Sequence, residues 1–295
     1  MSFFKSGGMI AFYSSIAIGL AYVLTEIASK EIGWIKMLVY LQLMGAIFLA
    51  GIALFRGKKL EIKKAIENKK YILETAVFRN ILGQALFFVG FSMTISMKAV
   101  FLTRFEPIFV AIMGVLLLKE KIRKRGMTAI ILLVVGSIVL STGGELVGFS
   151  ESSIGDLLVV AAMLSFAYSY IATRKIKNVN SVTVAFVTSI IGGLAGFVLL
   201  LLSGQSLWID SLYHWQVLIA YAFLFNGLAI YWYYAALRRT KAWVVASILS
   251  FSSVIGAVVA WYFMGQELTP VQWVGALIVL GASLFVTYES LEGKK

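Results

Sequence analysis

Cysteine is absent from this chain of 295 residues, histidine occurs once and proline twice. Without cysteine there are no disulfides, no thiolate metal sites and no cysteine nucleophile. The single histidine, His214, falls in a predicted connection and reads as an interfacial residue, because a metal site needs several ligands. The two prolines, Pro107 and Pro270, stand apart, and no Pro-rich or Ser-rich linker marks off a soluble domain. Charge is scarce as well. Charged residues make up 14% of the chain and hydrophobic ones 60%, against about 25% and about 45–50% in soluble domains. That leaves too little polar surface for a water-soluble protein.

The apolar residues fall in blocks of the length that crosses a hydrocarbon core of about 30 Å. Spans are predicted at about 8–28, 33–55, 72–93, 97–118, 126–143, 154–173, 183–203, 215–237, 242–264 and 270–288. The first is too long for a signal-peptide core. The fold class expected is therefore an all-α polytopic membrane protein of ten transmembrane helices.

The formal net charge of +12 is a topology signal. Of 26 lysines and arginines, 21 fall on one side of this arrangement. They are Lys5; Arg56, Lys58, Lys59, Lys63, Lys64, Lys69 and Lys70; Lys119, Lys121, Arg123, Lys124 and Arg125; Arg174, Lys175 and Lys177; Arg238, Arg239 and Lys241; and Lys294 and Lys295. The other side holds Lys30, Lys36 and Lys98, and Arg79 and Arg104 fall inside spans. By the positive-inside rule both termini are cytoplasmic, in a multi-pass protein of the cell membrane. No nucleic-acid partner is implied. The stretch Arg56–Lys70 reads equally as a short helix on the inner leaflet or as a solvated basic loop.

A shift of 146–147 residues aligns the two halves. Leu20-Ala21-Tyr22 falls on Phe166-Ala167-Tyr168, and Glu120 falls on Glu267. Helix lengths and connections keep step through residues 1–148 and 149–295. Each half has an odd number of predicted helices, so the second enters the membrane inverted. Two inverted five-helix repeats are the structural basis of alternating access.

The segment from Thr103 to Glu120, with Arg104, Glu106 and Pro107 ahead of a small and apolar run, resembles the fourth helix of EamA-type members of the drug/metabolite transporter superfamily. The segment from Trp261 through Glu267 and Gly275 to Ile278 resembles the matching element of a second EamA repeat. The resemblance covers essentially the whole chain. It implies a central cavity between the halves and export or exchange of small solutes. The chain departs from the family in having Gln42 where members often carry an arginine, and in lacking a second-repeat equivalent of Pro107.

Ionisable residues inside a bilayer are expensive and mark functional candidates. Arg79, Arg104 and Glu106 are such residues, with Asn80 and Gln84 sharing a helix with Arg79. They read either as a substrate site for a carboxylate or other anionic group, with Glu106 as counter-ion or proton carrier, or as a fixed ion network holding two helices together. Asn226 maps onto Arg79 and Tyr231 onto Gln84 under the shift. Tyr22, Tyr168 and Gln42 complete the candidate substrate-binding set. The rest of the Tyr231–Tyr234 run reads in part as an interfacial belt. Ser247, Ser250 and Ser253 read as close packing, and Glu74 as a partner of loop lysines or a helix start. Pro107, Glu120 and Glu267 are candidate gating or structural residues.

No span holds a histidine or a central pair of aspartates, and there is no Gly-x-x-x-x-Gly-Lys loop or Asp-rich cluster. An enzyme is not expected, nor a cofactor or metal. The function expected is secondary transport of small metabolites, including amino acids and related zwitterions. A passive channel and a nucleotide-sugar-like exchanger of the same superfamily are the rival readings.

Overall fold

The computed structural model describes residues 6–94, 99, 102–143, 154–265 and 267–292, and every regular element among them is helical. In chain order these are α1 (Gly7–Glu31), α2 (Trp34–Phe55), α3 (Lys69–Met93), α4 (Glu106–Leu118), α5 (Lys124–Thr142), α6 (Ile154–Lys175), α7 (Ser181–Leu202), α8 (Leu212–Leu237), α9 (Ala242–Leu249 resuming as Ser252–Met264) and α10 (Pro270–Glu292). Eight of these are long and apolar enough to cross a membrane, and the stretches Gly7–Ala21 and Glu106–Leu118 are shorter apolar helices. The chain is a polytopic helical membrane protein. A short helix, Ile62–Glu67, precedes α3 and turns Ile62 and Ile66 outward.

The internal repeat is visible in the backbone. A π-helical segment interrupts α3 at Ala76–Gly83, and a second interrupts α8 at Ala222–Ala229, 146 residues later. The same offset relates the helix Glu106–Leu118 to Ser252–Met264, and the left-handed C-cap Lys119 to the left-handed C-cap Gly265. The starts of α2 and α7, Trp34 and Ser181, are instead 147 apart. One residue of register is therefore lost between the second and third helix of the repeat.

That lost residue corrects the pairing expected for Asn226, whose counterpart is Asn80 and not Arg79. Both asparagines are buried, and each meets a glycine of the other half. A Cβ on Gly45 of α2 would lie 2.3 Å from the Asn226 Cβ, and one on Gly192 of α7 would lie 2.7 Å from the Asn80 Cβ. Gly45 and Gly192 are themselves repeat partners. Close approach of the backbones follows from these small residues. It locks α2 onto α8, and α7 onto α3, in two related contacts.

A continuous helix is predicted over 97–118, but the described chain turns at Arg104 and Phe105 and the helix begins at Glu106. Pro107 supplies the reason. It lacks an N–H, and its ring collides with the carbonyl four residues back, so it is tolerated only in a helix's first turn. The repeat partner of the break, Ser250–Phe251 in α9, has no proline. There the Ser250 carbonyl accepts both the Ser253 hydroxyl, at 2.7 Å, and the Ser253 N–H, at 3.2 Å.

Candidate functional site

A cavity of about 130 Å³ lies where the two π segments and the two helix breaks converge. Its wall includes Arg79 and Gln84 of α3, Arg104, Glu106 and Pro107 at the break, Phe166 and Tyr170 of α6, Phe225 of α8 and Ser250 and Ser252 of α9. Both members of three repeat-related pairs line it: Arg79 and Phe225, Arg104 and Ser250, and Glu106 and Ser252. The first half supplies the charges of the described wall, and the second supplies hydroxyls and rings at the matching positions.

The π segment decides which side chains reach the cavity. Its bonds run between residues five apart, so Arg79 and Gln84 come onto one face. Asn80, expected to share a face with Gln84, turns instead to Gly192. The helix break acts in the same way. On a regular helix Arg104 and Glu106 would point about 200° apart, whereas the turn before Glu106 lets both line the cavity.

Arg79 is 7% exposed. Its guanidinium lies 4.0 Å from the centroid of the Tyr233 ring and 5.8 Å from that of Phe166. Tyr170 meets Tyr233 edge-on, with centroids 4.9 Å apart at 88°. Glu106 lies near enough to both arginines and to Tyr170 to interact with them electrostatically. Gln42, buried on α2, donates through Nε2 to Oε1 of Gln84 at 2.7 Å. This bond leaves the Gln84 amide nitrogen to face the cavity.

Other candidates of the sequence lie outside the cavity wall. Asn226 donates to the Leu41 carbonyl at 2.7 Å and is engaged between helices. Tyr168 donates to Glu74 at 3.1 Å, toward the cation-rich end. Tyr231 accepts from Arg56 at 2.8 Å, and the same guanidinium stands 5.1 Å from its ring centroid. The Tyr22 side chain lies outside the described residues. Glu267 is exposed. Sequence reasoning missed Tyr170 and Tyr233. The available signal for Tyr170 was its position four residues after Phe166, on one helical face. Tyr233 was hidden inside an aromatic run.

At the cation-rich end, hydrogen bonds and an ion pair join the two halves. Both carboxylate oxygens of Glu120 accept the Ala242 N–H that opens α9, at 3.0 and 3.1 Å. Arg174 Nε stands 3.6 Å from Glu120, and its Nη1 donates to the Leu237 carbonyl at 2.6 Å. Lys241 donates to the Lys121 carbonyl at 2.8 Å across that boundary, and within the second half Arg238 donates to the Val179 carbonyl. Beside these links, Glu61 accepts the Asn180 N–H at 2.6 Å, and Thr183 Oγ1 accepts the Glu61 N–H at 2.9 Å. The hydrogen bond from Lys64, then that from Asn180, hold the Glu61 carboxyl below the usual carboxylate range. Its contribution is present at neutral pH and is lost only as pH falls through that lowered pKa. At the opposite end His214 pairs with Glu31 at 2.8 Å, and Lys36 donates to the Trp208 carbonyl at 2.9 Å.

Comparison with known proteins agrees with this architecture. The EamA-like transporter family matches residues 5–142 and 153–288. An "uncharacterized transporter" of Methanothermobacter thermautotrophicus is 22% identical over 239 residues, 79% of this chain and 68% of that protein. The "uncharacterized transporter YetK" of Bacillus subtilis is 25% identical over 203 residues, 67% of this chain and 61% of YetK. A solved crystal structure superposes with a TM-score of 0.78 over 98% of this chain and 99% of that chain, at 14% identity, which shows the fold alone.

Proposed function

The chain belongs to the EamA-like transporter family, and we propose that it carries small metabolites across the cell membrane by alternating access, as an exporter or exchanger. In this reading ten spans form two inverted five-helix halves, residues 1–148 and 149–295. The cation-rich end and both termini are cytoplasmic. Amino acids and related zwitterions are candidate substrates. The cavity is the substrate site, with Arg79, Gln84, Arg104 and Glu106 as its polar contacts. Asn80, Asn226 and Gln42 act behind it, and Glu106 carries a coupling proton.

One observation carries this reading. Buried charges line a cavity between the repeat-related breaks, while Glu120, Arg174 and Lys241 link the two halves at the cation-rich end. We read these links as a gate at that end, which favours a carrier over a permanently open channel. A cavity of about 130 Å³ also suits a small solute better than a nucleotide sugar.

Counter-flow tests the proposal. Proteoliposomes loaded with unlabelled substrate are expected to take up labelled substrate transiently above its equilibrium level, with saturation. Non-saturable flux without counter-flow contradicts a carrier.

A further inference from the structure

We propose that the substrate carries a carboxylate that docks on Arg79, and that Tyr233 is the positioning residue that holds this guanidinium ready for it. The inference rests on the transporter reading and deepens it by naming the substrate class.

Arg79 is 93% buried, given its 7% exposure, and lines the cavity. Among the described residues no carboxylate stands within 4.0 Å of it. Glu106 acts on it only from a longer range. Its Nε has no hydrogen-bond partner. A buried guanidinium left in this condition is costly unless something completes it.

The Tyr233 ring, 4.0 Å away, is a partial answer of a particular kind. A cation–π contact occupies the face of the guanidinium. The N–H donors point outward in the plane, as a rigid fork that matches the two oxygens of a carboxylate. Stacking therefore fixes the plane of Arg79 without using its donors. Tyr170, edge-on to Tyr233, buttresses the ring from α6.

The surroundings narrow the ligand further. In its ionised form Glu106 places negative charge near Arg79, which disfavours a dianion such as a phosphate monoester more than a monoanion. Gln84, also in the wall, has its amide oxygen engaged by Gln42, which leaves its N–H₂ to donate to a ligand. Phe87, Phe88, Tyr221 and Phe225 give the wall an apolar part beside the hydroxyls of Ser250 and Ser252, suited to an aliphatic or aryl body. The ligand is an organic monocarboxylate with an apolar tail.

The test uses the full chain purified in detergent and direct binding of defined probes: butyrate, benzoate and 3-phenylpropanoate, with 3-phenylpropanamide and 3-phenylpropylamine as matched controls. At least one carboxylate is expected to bind, and amide and amine at least about thirtyfold more weakly. Arg79→Gln is expected to abolish carboxylate binding. Tyr233→Phe keeps the ring face and is expected to bind within about twofold of the parent. Tyr233→Leu loses the face and is expected to bind about tenfold more weakly while still eluting as a folded monodisperse protein. If Tyr233→Leu does not fold, Tyr233→Trp and the probe series on the parent chain decide. Equal binding of amine or amide, no binding by any carboxylate, or full binding by Tyr233→Leu overturns the proposal. Carboxylate binding without counter-flow would sink the transporter reading and leave this site standing. Counter-flow of an amine without carboxylate binding would do the reverse.

Discussion

Glu106→Gln is expected to abolish uptake driven by a pH gradient, by at least about tenfold, while exchange at equal pH on both sides persists. The amide keeps the size of the side chain and an acceptor oxygen near Tyr170. It removes the group that can take up and release a proton, and Glu106 is the one carboxylate among the described cavity-lining residues. It also removes negative charge facing two buried guanidinium groups. The unliganded protein is therefore expected to lose about 1–3 kcal/mol of stability. A bound carboxylate replaces part of that charge, so substrate stabilises the variant against heat more than it stabilises the parent. Full gradient-driven uptake by Glu106→Gln contradicts proton coupling through this residue. Loss of exchange as well as gradient-driven uptake would make Glu106 a binding residue only.

Glu120→Ala is expected to have the larger effect on stability. The Glu120 side chain is 7% exposed. Its oxygens cap α9 through the Ala242 N–H and face Arg174 across the boundary between halves. Arg174 is 29% exposed and keeps its bond to the Leu237 carbonyl, so losing this pair costs about 1–2 kcal/mol. Losing a cap adds about 1 kcal/mol. The apparent melting temperature should fall by roughly 5–10 °C, and by about half as much for Glu120→Gln, which retains an acceptor for Ala242. In the proposed carrier this contact also closes the cation-rich end. Both variants are therefore expected to admit reagents from that end faster than the parent, Glu120→Ala more so. Unchanged melting and unchanged access would show that Glu120 neither caps nor closes.

The membrane helices were legible because burial in lipid demands long apolar blocks, and predicted boundaries fall within a few residues of those of α2, α6 and α9. The exceptions have local causes. Pro107 moves the start of α4 to Glu106, where periodicity alone predicts one unbroken helix. The π segments leave no mark in hydropathy, because they differ from α-helix only in which carbonyl each N–H meets. They nevertheless decide the site, by bringing Arg79 and Gln84 onto one face and turning Asn80 away. The repeat was legible in its period, but a single-residue loss of register is invisible at low identity between halves. That slip paired Asn226 with Arg79, where the fold pairs it with Asn80. The charged residues Arg79, Arg104 and Glu106 could be picked out because charge in a membrane span is rare. Their aromatic partners could not, because Tyr170 and Tyr233 meet only across helices distant in sequence.

The central claim is that one charged cavity opens in turn to each side of the membrane. Ser250 lines that cavity, and the chain has no native cysteine. Labelling of Ser250→Cys by a membrane-impermeant maleimide, added to right-side-out and to inside-out vesicles, tests the claim directly. Labelling from either face, slowed by substrate on both, is the expected result. Reaction from only one face under every condition contradicts alternating access.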